Sequence, residues 1–511
     1  MKILDKFQRF INEKDAGFKY LTIVLVTIYV LYRFIYCLGC REPWYDEVYY
    51  ISPALDYLLN GTLHIVPDFP RTPENAICWN TPMFSYVYSQ IFDFFGFSFT
   101  SVRVIGLFSG LFIFFSFLFL IFKMTKNWVA PFVYVIFFIT DKTIDPALFT
   151  GRPDALSFVF YICSLYLFNK TTNQNLLWKK YINIVVSGIL LAIAMTISIR
   201  LVVECILFVL LPFLYINNNG HRKFLDVVLY GFFAVIGIFL IYYCVLGDVS
   251  LILNSAERTS ETGLVSKHFG FDPYMNLLRT PYNAFKFVFF YFVLLFLIII
   301  KKTFIKRNAF LLSNVLFVIG FTIFIKEVGQ GSSNPYSMVL LPIVYVVFAY
   351  VCYILLNAKS WCFTTYVIVL FFILLTNLAT FVPRFSFLIL NPKLICYENK
   401  IEQFIEPYLS KDDIVLGAPR FYFMTRNKVS EFYITPLLGG SQFHLTNMSK
   451  LLKEKKCNIY IGEEPDQDSS KILNVELLKE IPRIEYNGFK WVINRYSEKQ
   501  FGIYKIVYEK K

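Results

Sequence analysis

The stretch Arg41-Glu42-Pro43-Trp44-Tyr45-Asp46-Glu47-Val48-Tyr49-Tyr50 sets two adjacent carboxylates, Asp46 and Glu47, just past the first long apolar run of the chain. Ionisable groups held at the edge of an apolar bundle are costly to keep there. A carboxylate so placed can take the proton of an attacking hydroxyl, which is the task of a general base. Its simplest substrate is one anchored in lipid. The same pair has a plain structural reading as well, because acids in the first turn of a helix favour its dipole.

A second polar cluster runs from Asp141-Lys142-Thr143-Ile144-Asp145-Pro146 to Thr150-Gly151-Arg152-Pro153-Asp154. Further cations punctuate the ends of apolar runs: Arg103 opens the second, and Arg200 tips the short turn Thr196-Ile197-Ser198-Ile199-Arg200. The polar stretch 248–280 carries Glu257, Arg258, Glu261, Lys267, His268, Asp272 and Arg279, and is long enough for a mobile flap. Arg103 and Arg200 could equally be residues that snorkel from span ends, and Arg152 with Asp154 an interfacial ion pair. His64, His221, His268 and His444 are scattered and show no zinc spacing. Asp46 and Asp154 offer oxygen ligands that could hold a divalent cation.

These groups need elements to hold them, and the composition says which. The chain of 511 residues is 57% hydrophobic and 17% charged, against about 45–50% and about 25% in soluble domains. The apolar excess falls in runs of about 17–25 residues, the length that spans roughly 30 Å of hydrocarbon. Candidate spans are 20–39, 101–122, 128–146, 153–169, 181–198, 200–216, 225–246, 283–300, 309–326, 336–357 and 361–381, about eleven in all. Their interiors are nearly free of charge, with Glu204 the clearest exception. The run 82–96 is short, opens on Pro82 and carries Asp93, which predicts a helix lying on the surface. Six of the ten cysteines lie in or beside apolar runs as small core residues. Cys40 with Cys78, and Cys396 with Cys457, could pair in an oxidising compartment.

Charge fixes the expected orientation. With the N-terminus in the cytoplasm, the inner loops hold Lys123/Lys126, Lys170/Lys179/Lys180, Arg222/Lys223, Lys301/Lys302/Lys306/Arg307 and Lys359. The outer loops are poorer in cations, as the positive-inside rule requires. The formal charge of +13 is thereby accounted for by membrane orientation, with no need for nucleic acid. An odd number of spans carries the last 130 or so residues outside. The fold class expected is mainly α, a polytopic membrane helix bundle over 1–390 with a small extracytoplasmic α/β domain over 391–511. In the bundle, the outer segment 41–100 carries an amphipathic helix closed by Asn60-Gly61, its regular part starting near Ser52-Pro53. In the domain, strands are expected at 414–416, 458–461, 490–493 and 502–507, and helices at 398–409, 448–455 and 471–480.

The order of these motifs resembles the glycosyltransferase C superfamily, and within it the protein O-mannosyltransferases and the bacterial aminoarabinose transferases. The residues that carry the resemblance are Asp46-Glu47 with Gly61, Asn80-Thr81-Pro82, Gly96-Phe97-Ser98 with Arg103, Arg152-Pro153-Asp154, and Arg200 in the turn between paired spans. It covers about the first 220 residues well and the remainder in layout. It departs where Asn80-Thr81-Pro82 replaces a residue-Pro-Pro pattern, and where the segment before a late span is reduced to Asn334-Pro335-Tyr336.

The resemblance implies transfer of a sugar from a polyprenyl-phosphate carrier to an acceptor hydroxyl, with inversion. Such a reaction needs one general base, and no second carboxylic acid, because phosphate leaves as a stable anion. It needs cations where the phosphate charge develops. On that reading Asp46 is the base, and Glu47 orients it or the acceptor. Arg103, Arg152 and Arg200 contact phosphate, with Arg258 and Arg279 reaching in from the flap. Asp154 orients an arginine or meets acceptor or metal, and Asn80 and Tyr336 lie on the acceptor side. The implied partners are a polyprenyl-phosphate-linked sugar, a lipid, glycan or protein acceptor, and the lipids of a bacterial inner membrane. A transporter or flippase of lipid-linked saccharides is the rival reading, and a non-catalytic scaffold is a third. Transporters place ionisable residues near the bilayer midplane, whereas the acids and arginines here gather at one face.

Overall fold

A computed structural model describes residues 15–39, 45–61, 82–171, 176–198, 210, 212–213, 220–247, 281–300, 309–324, 339–357, 362–392, 397–434, 451–465, 470, 472–482 and 501–508. The helices are α1 (Asp15–Gly39), α2 (Tyr45–Asn60), α3 (Pro82–Phe95), α4 (Phe99–Thr125), α5 (Val129–Thr140), α6 (Ile144–Leu148), α7 (Pro153–Thr171), α8 (Leu177–Ile197) and α9 (Gly220–Leu246). They continue with α10 (Pro281–Ile300), α11 (Ala309–Phe324), α12 (Leu341–Asn357), α13 (Cys362–Leu390) and α14 (Tyr397–Ile405). Then come strand β1 (Ile414–Gly417), the short helix α15 (Tyr422–Thr425), and strands β2 (Glu431–Ile434), β3 (Ile459–Glu463), β4 (Val475–Glu480) and β5 (Phe501–Ile506).

Among the described residues, five helices are long and apolar enough to cross a membrane: Asp15–Tyr36, Phe99–Thr125, Leu177–Ile197, Phe224–Val245 and Cys362–Leu390. Their outward faces are apolar. On α9, Leu225, Val228, Phe232, Val235 and Phe239 are all exposed at helical spacing, a stripe that water would not tolerate and lipid does. The span expected over 128–146 is divided. Helix α5 stops at Thr140, and Asp141 turns the chain into the short α6, because its carboxylate is engaged by groups from other helices.

The chain forms two compact units. The first comprises Met1–Arg33, Trp79–Phe84 and Ile105–Phe381. Its helices meet through small residues and hydroxyls. Antiparallel α7 and α8 are joined by Ser157 Oγ donating to the Ala194 carbonyl (2.8 Å) and Ser164 Oγ to the Ser187 carbonyl (2.7 Å). Gly188 lets α8 approach α9 so closely that a Cβ there would come within 2.7 Å of Phe233, the small-residue packing that replaces hydrophobic drive inside a bilayer.

The second unit comprises Phe34–Cys78, Ser85–Val104 and Val382–Lys511. Helix α2 buries Val48, Ile51, Ala54 and Leu55, and ends where Gly61, at φ +70°, donates its N–H to the Tyr57 carbonyl (2.9 Å). The helix runs through Pro53 rather than starting there; proline costs it one backbone bond, which its buried apolar face outweighs. The sheet has the order β2-β1-β3-β5-β4, with β1 parallel to β2 and β3, and β5 antiparallel to β3 and β4. Its core gathers Leu416, Tyr433, Leu451, Leu452, Cys457, Tyr460 and Tyr504.

Two readings of this domain need correction. Residues 475–480, expected to be helical, form β4, because pairing with β5 overrides a local pattern of spaced charges. Residues 431–434 form a strand that the sequence did not announce. The strand expected at 490–493 lies outside the described residues. Cys457 is a buried free thiol, and Cys40, Cys78 and Cys396 lie outside the described residues.

Candidate functional site

In the second unit, Glu47 and Arg103 meet. Both side chains are fully buried, and Arg103 Nη2 donates to Glu47 Oε2 at 2.6 Å. Helix α2 supplies the carboxylate one residue after Asp46, and the second turn of α4 supplies the guanidinium. Asp46 stands in the first turn of α2, and its side chain lies outside the described set.

The start of α4 is pinned from three sides. Gly96, at φ +78°, ends α3 by donating to the Phe92 carbonyl (2.9 Å). Ser98 and Ser101 then cap each other: Ser101 N donates to Ser98 Oγ (3.2 Å) and Ser98 N to Ser101 Oγ (3.1 Å), a capping box with serine in place of the usual acid. Phe99 lies under the Arg103 guanidinium, 4.6 Å from its centroid. Tyr88 from α3 closes the pocket, donating to the Val102 carbonyl at 3.0 Å. Its phenol is pushed well above the usual range by burial and by the neighbouring Glu47 carboxylate, with Arg103 opposing. It is therefore a proton donor in this site and never a phenolate.

The first unit holds a separate polar constellation on the segment from Asp141 to Asp154. Arg152 Nε donates to Asp154 Oδ2 at 3.0 Å, and both side chains are fully buried. Pro153 takes the first position of α7, where its missing N–H costs nothing. Asp154 Oδ1 is buried without a hydrogen-bond partner among the described residues. It is an oxygen donor of the type hard divalent cations accept. Among the described residues, however, no three His, Cys, Asp or Glu side chains converge to complete a metal site.

This segment is tied down by charges from apolar helices. Lys286 Nζ of α10 donates to Asp141 Oδ2 at 2.5 Å, and the Tyr345 hydroxyl of α12 donates to the same oxygen. Thr143 satisfies Oδ1 through its N–H (2.9 Å) and its hydroxyl (2.6 Å). Arg33 of α1 pairs with Asp145 and lies over the rings of Phe149 (4.4 Å) and Tyr29 (4.8 Å). Gly106 and Gly110 of α4 give Thr150 and Phe149 room: a Cβ on Gly110 would come within 2.5 Å of the Phe149 ring.

The site residues read from the sequence thus fall into three groups. Glu47 and Arg103 are brought together, as are Arg152 and Asp154. Asn80, Arg200, Arg258, Arg279 and Tyr336 lie outside the described residues, as does Glu204. Arg33 and Lys286, each fully buried, are further exceptions to the mostly uncharged span interiors. Their signal was present: a lone cation in an otherwise apolar run asks for a buried partner.

No family model matches the sequence, and no curated protein matches it. Solved structures do. ArnT from Cupriavidus metallidurans bound to undecaprenyl phosphate aligns with a TM-score of 0.52 at 11% identity, covering 94% of this chain and 97% of that one. The same protein in the apo state gives 0.52 at 12%, covering 96% and 98%. The oligosaccharyltransferase of Archaeoglobus fulgidus in complex with Zn and sulfate gives 0.50 at 10%, covering 86% and 68%. At these identities the likeness is one of fold.

Proposed function

We propose, from the premise that this chain has the glycosyltransferase C fold, that it is an integral membrane glycosyltransferase. It moves a sugar from a polyprenyl-phosphate donor to an acceptor hydroxyl at the outer face of a bacterial inner membrane. The acceptor is a lipid or glycan, or a protein. Residues 1–390 carry the catalysis, and 391–511 form the extracytoplasmic domain.

The observation that carries this reading is the buried Glu47–Arg103 pair, one residue from Asp46. A neighbouring residue fixed by a guanidinium is the kind of support that a general base needs. In the proposed step the acceptor oxygen attacks the anomeric carbon as its proton passes to Asp46. The bond from that carbon to the phosphate oxygen breaks, and the electron pair leaves with polyprenyl phosphate, giving the inverted product. Arg103 holds Glu47 in place, so Glu47 orients the base or the acceptor. Arg152 is a candidate phosphate contact, and Asp154 sets the direction of its guanidinium. Arg200, Arg258 and Arg279 are the remaining phosphate candidates, with Asn80 and Tyr336 toward the acceptor.

The test is transfer of radiolabelled sugar from a polyprenyl-phosphate donor in membranes carrying the protein. Asp46→Asn is expected to insert normally and to abolish transfer; normal turnover in that variant removes the base. One observation favours the rival transporter reading, namely ionisable groups buried among apolar helices at Lys286 and Asp141. A change of donor sidedness without any covalent product would establish it.

A further inference from the structure

A cleft of about 380 Å³ opens in the first unit between α4, α7 and the start of α11. Its walls are apolar: Phe112, Phe119, Leu120, Met124, Ile162 and Phe310. Phe112 and Phe119 are 41% and 62% exposed, on a helix that is itself long and apolar enough to cross a membrane. Of the polar lining residues, Lys123, Tyr166 and Asn169 lie toward the C-terminal ends of α4 and α7, and Ser116 and Cys163 nearer their middles. Lys170, next to the cleft, holds its ammonium 4.7 Å from the centroid of the Tyr166 ring.

Length identifies the occupant. From Phe112 to Lys123 the helix climbs 11 residues, about 16 Å at 1.5 Å per residue. That is about half of a hydrocarbon core of roughly 30 Å, the depth of one leaflet. An apolar slot one leaflet deep, ending in two lysines, matches an acyl chain joined to an anionic headgroup. No acid lies within 112–128 or 155–171; the nearby carboxylate is that of Asp15 of α1, which accepts the Trp128 N–H at 2.8 Å in the turn after α4. The two lysines also offset the negative ends of two helix dipoles, but that role needs no cleft between the helices.

We propose that this cleft binds an anionic phospholipid, with one acyl chain between α4 and α7 and its phosphate at Lys123 and Lys170. On the orientation read from the basic loops, the lipid comes from the cytoplasmic leaflet. The site is thus distinct from the outward-facing chemistry and independent of it.

The test is native mass spectrometry of the full-length protein released from detergent, with phosphatidylglycerol or phosphatidylcholine of matched chains added. Wild type is expected to retain one phosphatidylglycerol in preference to phosphatidylcholine. Each lysine is expected to contribute about fivefold to that preference, so the double variant Lys123→Gln/Lys170→Gln loses about 25-fold. Ser116→Trp fills the slot and removes retention of both lipids. Equal retention of the two lipids by wild type, or an unaltered preference in the double lysine variant, overturns the proposal. Should the tryptophan variant fail to fold, the lysine pair still decides.

Discussion

Phe423 of the C-terminal domain packs 5.9 Å from Phe99, centroid to centroid, and the Arg103 guanidinium lies on that same Phe99 ring. Phe97 adds contacts to Phe423 (5.7 Å) and Tyr422 (6.0 Å). The domain is thereby built into the support of the Glu47–Arg103 pair. Phe423→Ala is expected to cost about 3–5 kcal/mol of packing in this buried layer. It should lower the turnover number between about tenfold and a hundredfold, because the start of α4 loses its backing. The donor KM should change less. Thermal unfolding and steady-state transfer rates, measured on the same preparation, check both. A variant that loses stability without losing turnover would separate the domain from the site.

Removing Arg103 strands a buried carboxylate. Arg103→Met is expected to destabilise by about 3–5 kcal/mol, whereas the double variant Arg103→Met/Glu47→Leu removes both charges and recovers most of it. Transfer stays low in both, because packing returns and the oriented carboxylate does not. A double-mutant cycle in stability, run beside the same cycle in rate, reads the difference.

Lys286→Met applies the same logic in the first unit. Among the described residues it leaves Asp141 with only hydroxyl and backbone donors, from Tyr345 and Thr143. The expected loss is again about 3–5 kcal/mol. Lys286→Arg should retain part of the pairing, and Lys286→Met/Asp141→Leu should recover stability. Because Asp141 begins the segment that ends at Arg152 and Asp154, backbone hydrogen exchange over 141–154 is expected to speed up in the single variant.

These buried pairs also mark where sequence reading ran out. Helix α2 with its Gly61 stop, the Arg152-Pro153-Asp154 turn and the mixed C-terminal fold are local patterns, and they were legible. Lys286 finds Asp141 across 145 residues, and Arg33 finds Asp145 across 112. Periodicity within an element carries no information about such partners. Strand β4 failed for the same reason: its six residues carry charges at helix-like spacing, and only the distant β5 decides otherwise. Glu47 was assigned by its place beside Asp46, yet what holds it is Arg103, 56 residues on.

Cys457 gives the domain a pH signature. Burial pushes its thiol up to about 12, whereas a thiol in the unfolded chain titrates near 8.5. Between those values the folded domain keeps a proton that the unfolded chain has released. The stabilisation is therefore complete below about pH 8.5 and is lost as pH rises toward the folded value. Tyr508, whose hydroxyl donates to the Cys457 carbonyl at 2.7 Å, is likewise pushed up to about 12 and acts in the same direction. Denaturant midpoints for the domain's sheet, followed by hydrogen exchange, should fall between pH 9 and 11 in the wild type and fall less in Cys457→Ser. The same burial makes the thiol inert: iodoacetamide at pH 8.5 should label the peptide containing Cys457 only after denaturation. Prompt native labelling of Cys457 would mean that the segment leading into β3 opens far more readily than its buried position allows.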